Sequence, residues 1–384
     1  MQQQFSPDVR IATSIDAVID QALAEKRIVG AVVLVEREGR AAYRRAAGLA
    51  DREAETPTRE DTIFRFASLT KPVVAVATLA LVERGTVSLD DEASRYLPDF
   101  RPRLANGDTP SILLRHLITH SAGLTYGVFE PGGEGPYHRA KVSDGMDQPG
   151  LSIEENLRRI ASVPLSFAPG TAFGYSIGTD VLGECLARAA RRPLPDLVRE
   201  LVTGPLGMKD SGFGAADRSR LATAYGDASP QPARMGAHHI VPFNDGGISF
   251  APDRMYDAGS YPSGSGGMSG TAPDFLTLLE ALRKGGAPVL NRASVALLAT
   301  IKPGDLEIFR PGWRWPLGWS VLEDPAKMGT PQSPGTWAWG GVYGNSWFVD
   351  PAKALSIVIM TNTAIAGMTG AFPDAVRDAI YASL

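Results

Sequence analysis

Strand-forming segments sit at the two ends of this chain and the stretch between them reads mostly as helix, so any sheet must bring the ends together. Residues 31–36 and 41–47 are rich in small and β-branched apolar side chains and are joined through Glu38-Gly39-Arg40, the pattern of a hairpin. Residues 344–349 and 355–361 flank Asp350-Pro351-Ala352-Lys353 and read as a second hairpin. Helices are predicted before the first hairpin (13–25), after the second (about 373–382), and between them at 68–84, 112–119, 153–161, 179–190 and 274–283. Thr271 is the expected N-cap of the last of these, with Gly285-Gly286 closing it. Two Gly-rich loops, 125–150 and 246–270, are long enough to be functional. The expectation is an α+β fold in a single domain, 1–384. An antiparallel sheet from both chain ends, flanked by helices, forms an α/β lobe (approximately 1–60 plus 290–384). A mostly helical second lobe (approximately 61–289) faces it across a cleft.

The 384 residues are 44% apolar, enough for a large core, and the net charge of −4 comes with no basic block of the kind that binds phosphates, which argues against nucleic acid. The start, Met1-Gln-Gln-Gln-Phe-Ser-Pro, has neither the basic region nor the apolar run of an export signal, and the expectation is a cytoplasmic protein. The longest apolar runs, 28–35 and 73–82, fall far short of the roughly 20 residues that span a bilayer, so no membrane partner is expected. The single cysteine, Cys185, lies in a helical pattern and reads as a buried structural thiol.

The strongest local signal is Phe66-Ala67-Ser68-Leu69-Thr70-Lys71-Pro72, leading into Val73-Val74-Ala75-Val76-Ala77. Residues three apart share a helix face, so the Ser68 hydroxyl and the Lys71 amine can meet where this helix begins. Pro72 fits only the first turn, where its missing N–H has no intrahelical partner, and that puts Ser68 at the positive end of the helix. A serine hydroxyl attacks once a neighbour takes its proton, and a lysine withdrawn from water can do so. Taken alone, the tetrapeptide fits better a Ser68 that caps a core helix while Lys71 reaches solvent.

Two further segments follow in order: Leu117-Ile118-Thr119-His120-Ser121-Ala122-Gly123-Leu124 and Phe173-Gly174-Tyr175-Ser176-Ile177-Gly178. With all three, nearly the whole chain resembles the Ser-x-x-Lys enzymes that include class C β-lactamases, D-alanyl-D-alanine peptidases and family VIII carboxylesterases. The resemblance implies a β-lactamase/transpeptidase-like fold, Ser68 as nucleophile, Lys71 as base and Tyr175 as the phenol that shares its proton transfer. It also implies an oxyanion hole made by the backbone N–H groups of Ser68 and Val342. Where β-lactamases and peptidases carry Lys-Thr-Gly on a strand, this chain has Trp339-Gly340-Gly341, and family VIII esterases are similar there. Losing that cation removes a reason to bind an anionic β-lactam or a peptide C-terminus, and an indole favours neutral, apolar esters. Tyr175-Ser176-Ile177 likewise lacks the amide of the β-lactamase Tyr-x-Asn.

Trp339, Gly340, Gly341 and Tyr126 are therefore candidate substrate-binding residues. The glycines also fit a bulge in an edge strand, and Tyr126 also fits an ordinary loop aromatic. The other five tryptophans, at 313, 315, 319, 337 and 347, read as core or sheet-face residues. Gly174-Tyr175-Ser176-Ile177-Gly178 also matches the G-x-S-x-G nucleophile elbow, which would make Ser176 the nucleophile, but residues 167–173 before it read as loop rather than strand. His116 and His120, four apart, could share a helix face as metal ligands, yet no third ligand accompanies them and helix-end packing is the better reading.

The function expected is hydrolysis of short-chain or small neutral esters through an acyl-enzyme on Ser68, with no metal or cofactor implied. The alternatives are a β-lactamase or a D-amino-acid amidase or peptidase on the same site, acyl transfer to an acceptor other than water, and a non-enzymatic ligand sensor that kept the fold.

Overall fold

A computed structural model describes residues 9–301 and 306–384. Residues 1–7, read above for export signals, lie outside the described residues, which begin with the helix at Val9. The strands are β1 (Gly30–Arg37), β2 (Arg40–Asp51), β3 (Thr56–Pro57), β4 (Trp313–Arg314), β5 (Ser320–Leu322), β6 (Trp337–Gly341), β7 (Asn345–Asp350) and β8 (Leu355–Thr361). Among the described residues these eight form one antiparallel sheet in the order β4-β5-β6-β7-β8-β1-β2-β3. The chain ends meet at its centre, where Ala31 pairs with Thr361, Val33 with Ile359 and Val35 with Ile357.

Of the eleven α-helices among the described residues, five bear on the site and its core: α1 (Val9–Ala24), α2 (Thr70–Glu83), α3 (Gly178–Ala190), α4 (Ala272–Arg283) and α5 (Ala371–Ser383). Side chains alternate across a strand, so β1 serves two cores. Val33 and Val35 pack with Ile11, Ile15 and Ile19 of α1 and with Phe372, Val376 and Ile380 of α5. Val32 and Leu34 face the opposite core, which holds α2 and α4. Each aliphatic side chain buried this fully contributes roughly 1.5–3 kcal/mol. Helix α2 is apolar all round and buried from Thr70 to Leu81, with Pro72 in its first turn as the spacing predicts.

The middle of the chain carries short strands beside its helices that the sequence does not announce. Phe64–Arg65, Met268–Gly270 and Gly212–Phe213 form a small three-stranded sheet, and His239–Phe243 pairs with Gly246–Phe250 around Asn244, which takes φ +50. The loop at 125–150 contains short helical turns at Gly127–Phe129 and Pro136–Arg139. The loop at 246–270 contains one of these strands and the 3-10 turn Pro252–Tyr256. Pieces of two to five residues are too short for any periodicity to register, and they form here because neighbouring segments pair with them. Cys185 is buried in α3, as expected. Among the described residues no helix is long and apolar enough to cross a membrane.

Candidate active site

Ser68 lies in the 3-10 turn Ala67–Leu69 that leads into α2. Ala67, just before it, has φ +47, a conformation that non-glycine residues seldom adopt and that persists only where the surroundings hold it. Phe66 anchors the turn by donating its N–H to the Met268 carbonyl at 2.9 Å. Lys71, one helical turn on, is 2% exposed. Its Nζ donates to Ser68 Oγ at 3.1 Å and to the Ser265 carbonyl at 2.8 Å. The same nitrogen stands 4.9 Å from the centre of the Tyr175 ring and 5.3 Å from that of Tyr126. The amine is thus held by one carbonyl, two aromatic faces and the serine.

Behind Ser265 stands a buried carboxylate that the sequence did not single out. Asp180, in the first turn of α3, accepts from Ser265 N at 2.7 Å, Tyr261 Oη at 2.8 Å and Ser263 Oγ at 2.8 Å. Burial pushes its carboxyl up, and these hydrogen bonds oppose the rise. The chain Asp180, Ser265, Lys71 fixes the orientation of the carbonyl that receives the amine. The one signal for it in the sequence is the run Ser263-Gly264-Ser265-Gly266-Gly267.

Strand β6 brings in the third candidate segment. The Trp339 indole Nε1 donates to the Tyr175 phenol oxygen at 3.0 Å, and the rings lie 5.0 Å apart. Gly341 needs to be glycine, because a Cβ there would stand 2.2 Å from the Phe66 carbonyl oxygen. That close approach sets β6 against the Ser68 turn. At Gly340 a Cβ would meet Met368 Cγ at 2.6 Å, so the residue serves the packing of this strand. Val342 follows in a turn closed by Gly344 N–H on the Gly341 carbonyl at 2.9 Å, a bond that leaves the Val342 N–H outside the turn's own pairing. Tyr126 is buried, and its ring lies 5.5 Å from that of Tyr175. Ser68, Lys71, Tyr175, Tyr126, Trp339, Gly341 and Val342 therefore converge, from segments far apart in the chain.

The five other tryptophans are buried, as read from the sequence. Trp315 also belongs to this neighbourhood, with its ring 4.6 Å from Trp339 and 4.9 Å from His120. A cavity of about 440 Å³ opens beyond Trp315, lined by Arg115, His116, Gly170 and Leu317 among others, and Ser68, Lys71 and Tyr175 are not part of its wall.

Ser176 is 1% exposed and hydrogen-bonded to His120 and to Gly178 N–H, and the segment before it is irregular, so it lacks both the strand and the exposure of a nucleophile elbow. His116 and His120 do not share a helix face. The helix Leu114–Ile118 has ended before His120, whose backbone sits at φ +54, and His116 Nδ1 accepts from Leu113 N–H at 3.2 Å.

The Beta-lactamase family model matches residues 15–380. Esterase EstB of Burkholderia gladioli is 49% identical over 382 residues, covering 98% of this chain and 97% of its own. Among solved structures, EstCE1, described as a hydrolase with promiscuous acyltransferase activity, superposes with a TM-score of 0.94 at 43% identity, over 97% of this chain and 99% of its own. Unliganded simvastatin synthase (LovD) from Aspergillus terreus shares the fold at a TM-score of 0.75 and 21% identity, over 98% of this chain and 99% of its own.

Proposed function

Because the chain belongs to the Beta-lactamase family, we propose that it is a serine carboxylesterase that hydrolyses small neutral esters through an acyl-enzyme on Ser68. The observation that carries this reading is the 3.1 Å contact between Lys71 Nζ and Ser68 Oγ, made by an amine that is 2% exposed. The Ser68 oxygen attacks the ester carbonyl carbon while its proton passes to the Lys71–Tyr175 pair, and the backbone N–H groups of Ser68 and Val342 face the oxyanion. The tetrahedral intermediate collapses, the C–O bond to the alcohol breaks, and the departing alkoxide takes the proton. Water then attacks the acyl-enzyme by the same proton path in reverse, releasing the acid and restoring Ser68.

Esters are favoured over anionic β-lactams because the β6 position facing Tyr175 holds an indole and no cation. Acyl transfer to an alcohol is a second reading, supported by the similarity to EstCE1, since an alcohol can replace water in the second step. The two lobes, approximately 1–60 plus 290–384 and 61–289, act in this proposal as one catalytic unit. In its support, Ser68, Lys71 and Tyr175 come from the middle segment and Trp339, Gly341 and Val342 from the C-terminal one. The proposal sets the enzyme in the cytoplasm, where a lone thiol such as Cys185 stays reduced.

The test compares wild type, Ser68→Ala and Ser176→Ala on p-nitrophenyl butyrate and a chromogenic cephalosporin, with intact-mass detection of the acyl-enzyme. Ser68→Ala is expected to lose at least about 10³-fold in kcat and the butyryl adduct, while Ser176→Ala keeps both. Full esterase activity in Ser68→Ala overturns the site. Faster turnover of the cephalosporin than of the ester by wild type overturns the substrate class alone.

A further inference from the structure

Both sequence neighbours of Tyr175 hang on one residue of the segment 117–124. The Gly174 N–H donates to the His120 carbonyl at 2.8 Å, and the Ser176 N–H donates to His120 Nδ1 at 3.2 Å. The Ser176 hydroxyl lies 3.3 Å from the same nitrogen. Between these two backbone bonds, the Tyr175 ring rests against the imidazole with centroids 4.6 Å apart.

A backbone N–H can only donate, so Nδ1 is the acceptor and the imidazole carries its proton on Nε2. That Nε2 is buried and has no hydrogen-bond partner among the described residues. His120 is 1% exposed, and burial, followed by the nearby Lys71 charge, pushes its pKa well below the ordinary histidine value, so it stays neutral and Nδ1 remains an acceptor. The residue also holds a left-handed backbone at φ +54. An unpaired buried N–H and a left-handed non-glycine backbone are both unfavourable, and neither is needed to pack a helix end. What the arrangement does achieve is to fix the peptide units on either side of Tyr175.

We propose that His120 is a positioning residue for Tyr175, whose imidazole and carbonyl hold the Tyr175 backbone so that the phenol oxygen stays in register with Trp339 and Lys71. His120 touches none of the reacting atoms and acts through Tyr175. The inference rests on the reading of Tyr175 as the proton-transfer partner of Lys71.

Asparagine can offer an acceptor near the place of Nδ1 and tolerates the left-handed backbone, whereas glutamine reaches toward the place of Nε2. The experiment measures kcat, KM and melting temperature on p-nitrophenyl butyrate for His120→Asn and His120→Gln, each in the wild-type and Tyr175→Phe backgrounds. A displacement of about 1 Å in a catalytic group lowers turnover by about 100-fold, so His120→Gln is expected to lose about 10- to 100-fold in kcat with KM within about twofold. His120→Asn is expected to stay within about threefold of wild type. In the Tyr175→Phe background, where residual turnover is followed by the rate of acyl-adduct formation, His120→Gln should cost under about twofold, because a residue that acts through Tyr175 has nothing left to position.

Equal losses in His120→Asn and His120→Gln, or a full loss on top of Tyr175→Phe, overturn the proposal. If His120→Gln yields no soluble protein, His120→Asn and His120→Ala decide. A loss of about tenfold or more in His120→Asn at an unchanged melting temperature overturns the proposal, and wild-type-like turnover supports it where soluble His120→Ala loses about tenfold or more in kcat with KM within about twofold. If Tyr175→Phe itself keeps wild-type kcat, the reading of Tyr175 fails, a result separate from any failure of His120.

Discussion

The Trp339 indole N–H donates to the Tyr175 phenol oxygen at 3.0 Å, across 164 positions of sequence. A donor aimed at that oxygen fixes where the phenol points, so strand β6 sets the place of the Tyr175 hydroxyl. The indole is more than an apolar wall.

Replacing it with phenylalanine keeps the wall and removes the donor. Trp339→Phe is expected to lower kcat by about tenfold, the equivalent of one hydrogen bond, with KM within about twofold. Steady-state kinetics on p-nitrophenyl butyrate check this, and a rise in KM at constant kcat would mean that the indole serves substrate binding alone.

Gly341→Ala introduces a methyl group 2.2 Å from the Phe66 carbonyl oxygen and forces β6 away from the Ser68 turn. The Val342 N–H moves with the strand. Turnover is expected to fall by about 100-fold, from a displacement on the order of 1 Å. The acylation rate measured beside the melting temperature separates this from unfolding, and an alanine variant with wild-type acylation would show that the strand has room to give.

Phe309 is 63% exposed, yet its ring lies 6.1 Å from Trp339, 6.4 Å from Tyr175 and 6.3 Å from Phe173. An exposed phenylalanine at the rim of an aromatic cluster can cover the apolar part of a substrate. Phe309→Ala is expected to lower kcat/KM about fivefold for octanoate esters and little for acetate, because a longer chain buries more area against the ring. Stability should change by less than about 0.5 kcal/mol. A uniform effect across chain lengths argues against a contact with the acyl chain.

Asp144 accepts from the Gly127 N–H at 3.0 Å, and burial, followed by the Asp147 charge, pushes its carboxyl up to about 7. A raised carboxyl pKa means that the folded state holds the proton more tightly than the unfolded chain. Its contribution to stability is therefore full below about pH 4 and is lost as pH rises through about 7. Asp144→Asn removes this dependence. From about pH 5 to pH 8 the melting temperature of Asp144→Asn is expected to gain a few degrees on wild type, and parallel curves for the two proteins would sink the assignment.

Much of the fold is legible in local spacing. The near-continuous apolar runs of β1 and β8 are those of strands buried on both faces, the run after Pro72 marks a buried helix, and Thr271 caps α4 by accepting from Asp274 N–H, as its position predicts. Ser68 and Lys71 belong to the same class of statement, because a separation of three along a helix is itself a distance in space. The short strands at Phe64–Arg65, Gly212–Phe213 and Met268–Gly270 carry no such pattern and exist only through their pairing.

The surroundings of Lys71 and Tyr175 are of that second kind. The Ser265 carbonyl reaches Lys71 across 194 positions, Trp339 reaches Tyr175 across 164, and His120 reaches Ser176 across 56. No periodicity encodes these separations. The order of residues along the chain dictates which segments are strand or helix and which serine and lysine share a face. Which carbonyl holds the amine, and which indole meets the phenol, follow from how the sheet built from both chain ends packs against the helices, since contacts between distant residues are set by the burial of whole elements rather than by any local pattern.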